Sequence, residues 1–154
     1  MRALLQRVTS ASVTVDGQIT GEIGAGLLVL IGFRKTDTPG EGDWMIRKIL
    51  AARIFNDEAG KMNKSVVDIR GEILLVSQFT LYGDLKQGTR PGFSDSMPGE
   101  AAREFYAKWV ANFRGLCGLK IQEGQFAADM KVRLLNDGPV TILIEKEAEA
   151  PREG

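Results

Sequence analysis

Three short segments of this chain bring together residue types that can do chemistry. Ser77-Gln78-Phe79-Thr80 offers two hydroxyls, an amide and successive backbone N–H groups at the end of an apolar stretch. Hydroxyls can attack or relay protons, and backbone N–H groups can receive an oxyanion; the plainer reading is a strand fading into a polar turn. Asn136-Asp137-Gly138-Pro139 interrupts an apolar, β-branched stretch running from Lys131 to Ile144. Proline has no N–H for a ladder, so a strand holds it only at an edge, an end or a bulge. Glycine tolerates positive φ, and an X-Pro bond reaches cis for about 0.5–1 kcal/mol. The segment reads either as a hairpin turn or as a kink that aims backbone carbonyls away from a neighbouring strand. Lys86-Gln87-Gly88-Thr89-Arg90-Pro91-Gly92-Phe93 mixes cations, glycines and one aromatic. That suits a phosphate backbone and a stacked base; a solvated charged loop is the alternative. Lys61 and Lys64, beside Met62-Asn63, extend such a patch.

What the chain lacks narrows the chemistry. It has no histidine, which removes the usual general base near neutral pH, the Ser/Cys–His pair and the commonest zinc ligand. Its one cysteine, Cys117, excludes an intrachain disulfide and a multi-cysteine metal site, and reads as a small buried hydrophobe. No Gly-x-Gly-x-x-Gly, Walker loop or zinc-spaced set is present, and no carboxylate pair stands out. Lys plus Arg and Asp plus Glu number 20 each, so no global field draws in polyanions and nucleic acid must meet a local patch. No segment approaches the roughly 18–20 apolar residues that span a bilayer. The N-terminus lacks a signal-peptide pattern, so the expected location is cytoplasmic and no membrane partner is implied.

The elements that must position these segments follow from periodicity. Residues 4–8 and 12–15 read as strands, Asp16-Gly17 as a hairpin turn, and residues 18–23 as the return. Gly24-Ala25-Gly26 reads as another turn, and Leu27-Leu28-Val29-Leu30-Ile31 as a strand buried on both faces or a central one. Thr38-Pro39-Gly40-Glu41 is a capping-box start for a helix ending near Ala52, with Met45 and Ile49 on its apolar stripe. Residues 72–78 form a strand, and residues 82–97 a loop longer than structural connections need. A second helix runs from Pro98 to about Arg114, its Ala102, Phe105, Trp109 and Phe113 stripe facing the core. Residues 119–123, 130–135 and 140–145 complete the sheet. The expected fold is a single α+β domain over residues 1–146: mixed and antiparallel β-sheet, barrel-like, with two main helices packed on one side. Residues 147–154 read as a flexible tail.

Together these segments resemble the D-aminoacyl-tRNA deacylase family, first described as D-tyrosyl-tRNA deacylase. Ser77-Gln78-Phe79-Thr80-Leu81 and Asn136-Asp137-Gly138-Pro139-Val140-Thr141 carry the resemblance. Supporting matches are Arg7 in Leu5-Gln6-Arg7-Val8, Arg53-Ile54-Phe55 followed by Gly60-Lys61-Met62-Asn63, Arg90-Pro91 with Phe93, and Ala128-Asp129-Met130. Where the family often has glycine before its Ala-Asp-Met, this chain has Ala127.

The resemblance implies a cofactor-free homodimer that hydrolyses the ester joining a D-amino acid to the 3′-terminal adenosine of tRNA, and that also removes mischarged glycine. It implies catalytic roles for Ser77, Gln78, Phe79 and Thr80. Substrate binding and chiral selection fall to Gly138, Pro139, Arg7 and Met130. The Gly-Pro bond would be cis and project into the partner's site, with Arg7 fixing the motif. Thr80 matches a threonine once proposed as nucleophile; the rival view gives that work to the RNA's own 2′-hydroxyl. With no histidine to activate a hydroxyl, the residues favour the substrate-assisted route. Lys86, Arg90, Lys61 and Lys64 are the candidate tRNA contacts. The alternatives are a non-catalytic RNA-binding homodimer and a plain homo-oligomeric interaction module.

Overall fold

Asp16 and Gly17 both take positive φ, 48° and 76°, as a two-residue hairpin turn requires. The arms they join are longer than local patterning suggests. β1 (Arg2–Val15) runs unbroken through what reads as two strands; β2 (Gln18–Ile23) and β3 (Gly26–Gly32) return along it. Ala11↔Ile23 and Val8↔Gly26 belong to one antiparallel register. The turn expected at Gly24-Ala25-Gly26 is therefore only a break in a single arm, because both segments pair with the same strand. The computed structural model describes residues 1–149.

A similar correction applies at Gly138-Pro139. β8 (Lys131–Glu145) is one strand, with both flanks paired antiparallel to β1. The register jumps from Val8↔Asn136 to Gln6↔Thr141, so the motif is an outward bulge and not a hairpin turn. A hairpin would pair the two flanks with each other; here β1 takes both.

β6 (Glu72–Ser77) lies parallel to β3, and β7 (Ile121–Glu123) parallel to β6. Strand side chains alternate between faces, and here both faces are buried. Leu27, Val29, Ile31, Ile73 and Leu75 join one apolar cluster with both helices. Leu28, Leu74 and Val76 join a second with Val8, Ala11, Val13, Val15 and Ile23. This is why Leu27 to Ile31 shows no alternation in sequence. The second cluster fills the inside of a nearly closed barrel, where β2 curls over to reach β7. A Cβ on Gly21 would lie 2.4 Å from the Glu123 carbonyl oxygen, so the seam closes only because residue 21 has no side chain.

The helices pack on the other face, as expected. α1 (Pro39–Ala51) starts at Thr38, whose N–H donates to the Glu41 carboxylate at 2.7 Å. α2 (Gly99–Leu116) buries Ala102, Tyr106, Trp109, Val110 and Phe113, and Trp109 Nε1 donates to the Gly42 carbonyl at 3.0 Å. Phe33 meets the Phe105 and Trp109 rings at 4.8 and 6.1 Å, so the aromatic stripe is core. Cys117 follows α2 and is only half-buried, less than its sequence suggests. β4 (Phe55–Asn56) and β5 (Met62–Lys64) form a short hairpin, its turn held by Asp57 Oδ1 accepting the N–H groups of Ala59 and Lys61. Of the tail, Glu147 pairs with Arg34 at 2.9 Å; residues 150–154 lie outside the described residues. No described helix is long and apolar enough to cross a membrane.

Candidate active site

β6 ends at Ser77 because the sheet ends there. Gln78 N–H makes the last bond to β3, to the Ile31 carbonyl at 2.7 Å, and the chain then tightens into a 3₁₀ turn, Phe79–Tyr82. The approach needs Gly32, where a Cβ would sit 2.9 Å from the Gln78 carbonyl oxygen. Within the turn Leu81 N–H bonds to Gln78 O and Gly83 N–H to Thr80 O. The N–H groups of Phe79 and Thr80 have no acceptor among the described residues, as befits the first residues of a turn. Gln78 Nε2 donates to Thr80 Oγ1.

The turn is braced from behind. Arg2 Nη1 donates to Leu81 O at 2.8 Å, its guanidinium lies 4.5 Å from the Tyr82 ring centre, and its Nε pairs with Glu145 at 3.0 Å. Tyr82 is buried, and burial pushes its phenol well above the usual range. Ser96 Oγ donates to Phe79 O at 3.3 Å, tying the 83–98 loop to the turn. Asp84 and Gly92 exchange backbone hydrogen bonds across that loop, each at 2.8 Å.

Ser77, Gln78 and Phe79 line a cleft of about 520 Å³. Its walls include Ile31, Phe33, Ala102, Phe126, Ala127, Ala128, Met130 and Val132, and among the described residues no ionisable side chain lines it. Ala127 reaches it at φ 59°, backbone that costs an L-residue about 1–2 kcal/mol. Met130 belongs to this cleft, supporting the loop after β7: Gln125 N–H points to its Sδ at 3.4 Å. The sequence reading groups Met130 with the Gly-Pro motif; within one chain it stands with residues 77–79.

Arg7, Gly138 and Pro139 form a second group that does not touch the cleft. Arg7 is buried. Its Nε donates to Asp137 O at 3.1 Å and lies 3.2 Å from Asp137 Oδ2, while Nη1 donates to Ile54 O at 2.9 Å. One guanidinium thus joins the bulge to the β4–β5 hairpin. The Gly138–Pro139 bond is cis, and both residues are exposed. The surrounding strand is exposed as well, with Leu134, Leu135, Ile142 and Leu143 between 37% and 62% accessible.

The four candidate tRNA contacts fall on two segments. Lys61 and Lys64 sit on the β4–β5 hairpin, Lys86 and Arg90 on the 83–98 loop. Lys64 pairs with Glu58 at 2.5 Å, which leaves it less available. Sequence reasoning misses Asp137 as the partner of Arg7, and the wall formed by Phe126 and Ala127. Asp137 stands inside a motif already singled out; nothing local announces a partner 130 positions away. Among the described residues no group of three or more His, Cys, Asp or Glu is placed to hold a metal.

A family model described as D-Tyr-tRNA(Tyr) deacylase matches residues 4–145. A D-aminoacyl-tRNA deacylase of Desulfitobacterium hafniense is 54% identical over 147 residues, 96% of this chain and 98% of its own. That of Prosthecochloris aestuarii is 53% identical over 145 residues, 94% and 99% of the two chains. A solved structure titled c-Myc DNA Unwinding Element Binding Protein superposes with a TM-score of 0.92 at 47% identity, covering 96% of this chain and 100% of that one. A probable eukaryotic D-amino acid tRNA deacylase shares the fold, with a TM-score of 0.74 at 18% identity over 93% and 97% of the two chains.

Proposed function

The chain belongs to the D-Tyr-tRNA(Tyr) deacylase family, and from that premise we propose how its site works. It is a hydrolase, a D-aminoacyl-tRNA deacylase. The reaction adds water across the ester between a D-amino acid and the 3′-terminal adenosine of tRNA. Water attacks the carbonyl carbon, the carbonyl oxygen becomes an oxyanion, the bond to the ribose oxygen breaks, and that oxygen takes the proton water gives up.

One observation carries the assignment of residues 77–80. Two backbone donors, of Phe79 and Thr80, stand without acceptors among the described residues, at a strand end where Ser77, Gln78 and Phe79 open onto the cleft. Such donors can receive a developing oxyanion. Thr80 is a weak nucleophile in this setting: Gln78 donates to its oxygen, and a donor there draws off electron density that a base would supply. The vicinal 2′-hydroxyl of the ribose is the better proton relay, so residues 77–80 position the ester and hold its charge.

Selection of handedness falls to Gly138 and Pro139 of a second copy. Their carbonyls take the α-ammonium and leave no room for an L side chain, while a D side chain points away and glycine has nothing to clash. Glycyl-tRNA is therefore a substrate too. Two features support the two-copy site: the motif stands outside its own chain's cleft, and β8 presents apolar side chains around it. An exposed apolar strand at a sheet edge is a surface that calls for a cover. Arg7 fixes the motif, Met130 shapes the cleft wall, and Lys86, Arg90 and Lys61, with Lys64 in support, meet the tRNA backbone. The work is proofreading of charged tRNA, in the cytoplasm.

Matched D- and L-tyrosyl-tRNA test this reading. Rapid release of D-tyrosine with the L ester spared is the expected result; equal rates, or none on either, defeat it.

A further inference from the structure

Phe79 and Phe93 form an exposed aromatic pair beside the cleft. Their ring centres are 5.1 Å apart with planes at 60°, and the residues are 58% and 39% accessible. Large apolar side chains left open together on a small domain mark a contact surface. The pair is also built firmly. Ser96 holds the Phe79 carbonyl, Gly92 ties the chain beside Phe93 to Asp84, and Gly83 leaves the Phe93 ring its place, since a Cβ there would lie 3.3 Å from Phe93 Cε1.

The charges on the same loop say what kind of molecule fits. It holds two acids and two cations between residues 84 and 95. Both acids are engaged: Asp84 accepts the Lys86 N–H at 2.8 Å and Asp95 lies 3.8 Å from the Lys35 ammonium. Among the described residues, Lys86 and Arg90 have no carboxylate partner. The loop therefore offers two unspent cations and a pair of aromatic faces, the combination that binds single-stranded nucleic acid: charges track the phosphates and rings take the bases.

We infer that Phe79 and Phe93 form a stacking platform for an unpaired base at the 3′ end of tRNA, with Lys86 and Arg90 on the adjoining phosphates. This rests on the deacylase reading and extends that site from Phe79, at the cleft wall, out to Phe93 beyond it. A platform of this kind raises affinity without touching the chemical step.

The test uses Phe93, which lies outside the cleft lining. In the full chain, Phe93→Leu is expected to raise KM for D-tyrosyl-tRNA about tenfold and leave kcat within about twofold, and Phe93→Trp to restore KM. The added indole fluorescence of Phe93→Trp, taken as the difference from wild type, is quenched by a short single-stranded RNA ending in adenosine and not by an abasic sugar-phosphate of equal length. Equal KM for the two variants, or quenching by the abasic strand, overturns the platform. So does a shift of Phe93→Leu toward monomer in sedimentation, which would mean that a second copy covers the pair. If wild type fails to hydrolyse D-tyrosyl-tRNA, the deacylase reading falls by itself, and the fluorescence titration still decides on base stacking.

Discussion

Arg7 holds Asp137 twice, donating to its carbonyl at 3.1 Å and pairing with its carboxylate at 3.2 Å, from a position that is 6% accessible. A buried guanidinium is stable only when its donors are used, and this one directs another to Ile54 O. Arg7 therefore fixes the exposed Gly138-Pro139 bulge from beneath.

Replacing Arg7 should loosen the bulge first and the fold second. Arg7→Ala strands the buried Ile54 carbonyl, at about 1–3 kcal/mol, and releases the exposed Asp137. Arg7→Lys should rescue little, since one ammonium cannot reproduce a planar fork. The expected outcome for both is a ratio of D to L hydrolysis reduced at least about tenfold. Parallel rates on the two tyrosyl-tRNAs, with a thermal melt beside them, check it; an intact ratio removes Arg7 from selection.

The roles of Thr80 and the ribose separate cleanly. Thr80→Ala should keep the rate within about tenfold, whereas a tRNA ending in 2′-deoxyadenosine should lose about a hundredfold or more. Single-turnover kinetics on both substrates gives the comparison. Collapse of the Thr80 variant with full activity on the deoxy substrate would return the threonine to the role of nucleophile.

Leu135 is the most open apolar residue of β8, at 62% accessible. Leu135→Arg places a charge on that face without disturbing a core side chain. The variant should sediment as a monomer at micromolar concentration, melt near wild type and lose most of its activity. A fully active monomer would show that one chain carries a complete site.

Asp57 gives the β4–β5 turn a defined pH response. Hydrogen bonds from the Lys61 N–H, and then from Ala59 and Asn63, hold its carboxyl below the ordinary value of 3.8. A carboxylate with a lowered folded pKa contributes stability above the unfolded value and loses it as pH falls through the folded one. Exchange of the Ala59 and Lys61 amides should therefore be slower in wild type than in Asp57→Ala near neutral pH, with the difference vanishing in the acid window below 3.8. A difference that persists at the lowest pH would contradict this.

Much of the architecture is legible because it is written in short-range patterns. Thr38-Pro39-Gly40-Glu41 announces α1, the 102, 105, 109 and 113 spacing announces α2, and Asp16-Gly17 announces its turn. Continuity is not legible. Whether Gly24-Ala25-Gly26 or Gly138-Pro139 reverses a chain depends on which strand takes the flanks, and β1 takes them in both cases. The glycine and proline signals mark a break correctly and its shape wrongly. Residues 77–80 can be singled out as reactive types, but the cleft beside them cannot, since its far wall comes from Phe126, Ala127 and Met130 about fifty positions on.

The cleft's lining of carbon, sulfur and neutral polar groups has a kinetic corollary. With no ionisable side chain among the described residues that line it, the cleft should leave no inflection of its own on a plot of rate against acidity. Any bend in that curve belongs to the amino group or the ribose of the charged RNA, and should move when the substrate is altered and stay still when the cleft is mutated.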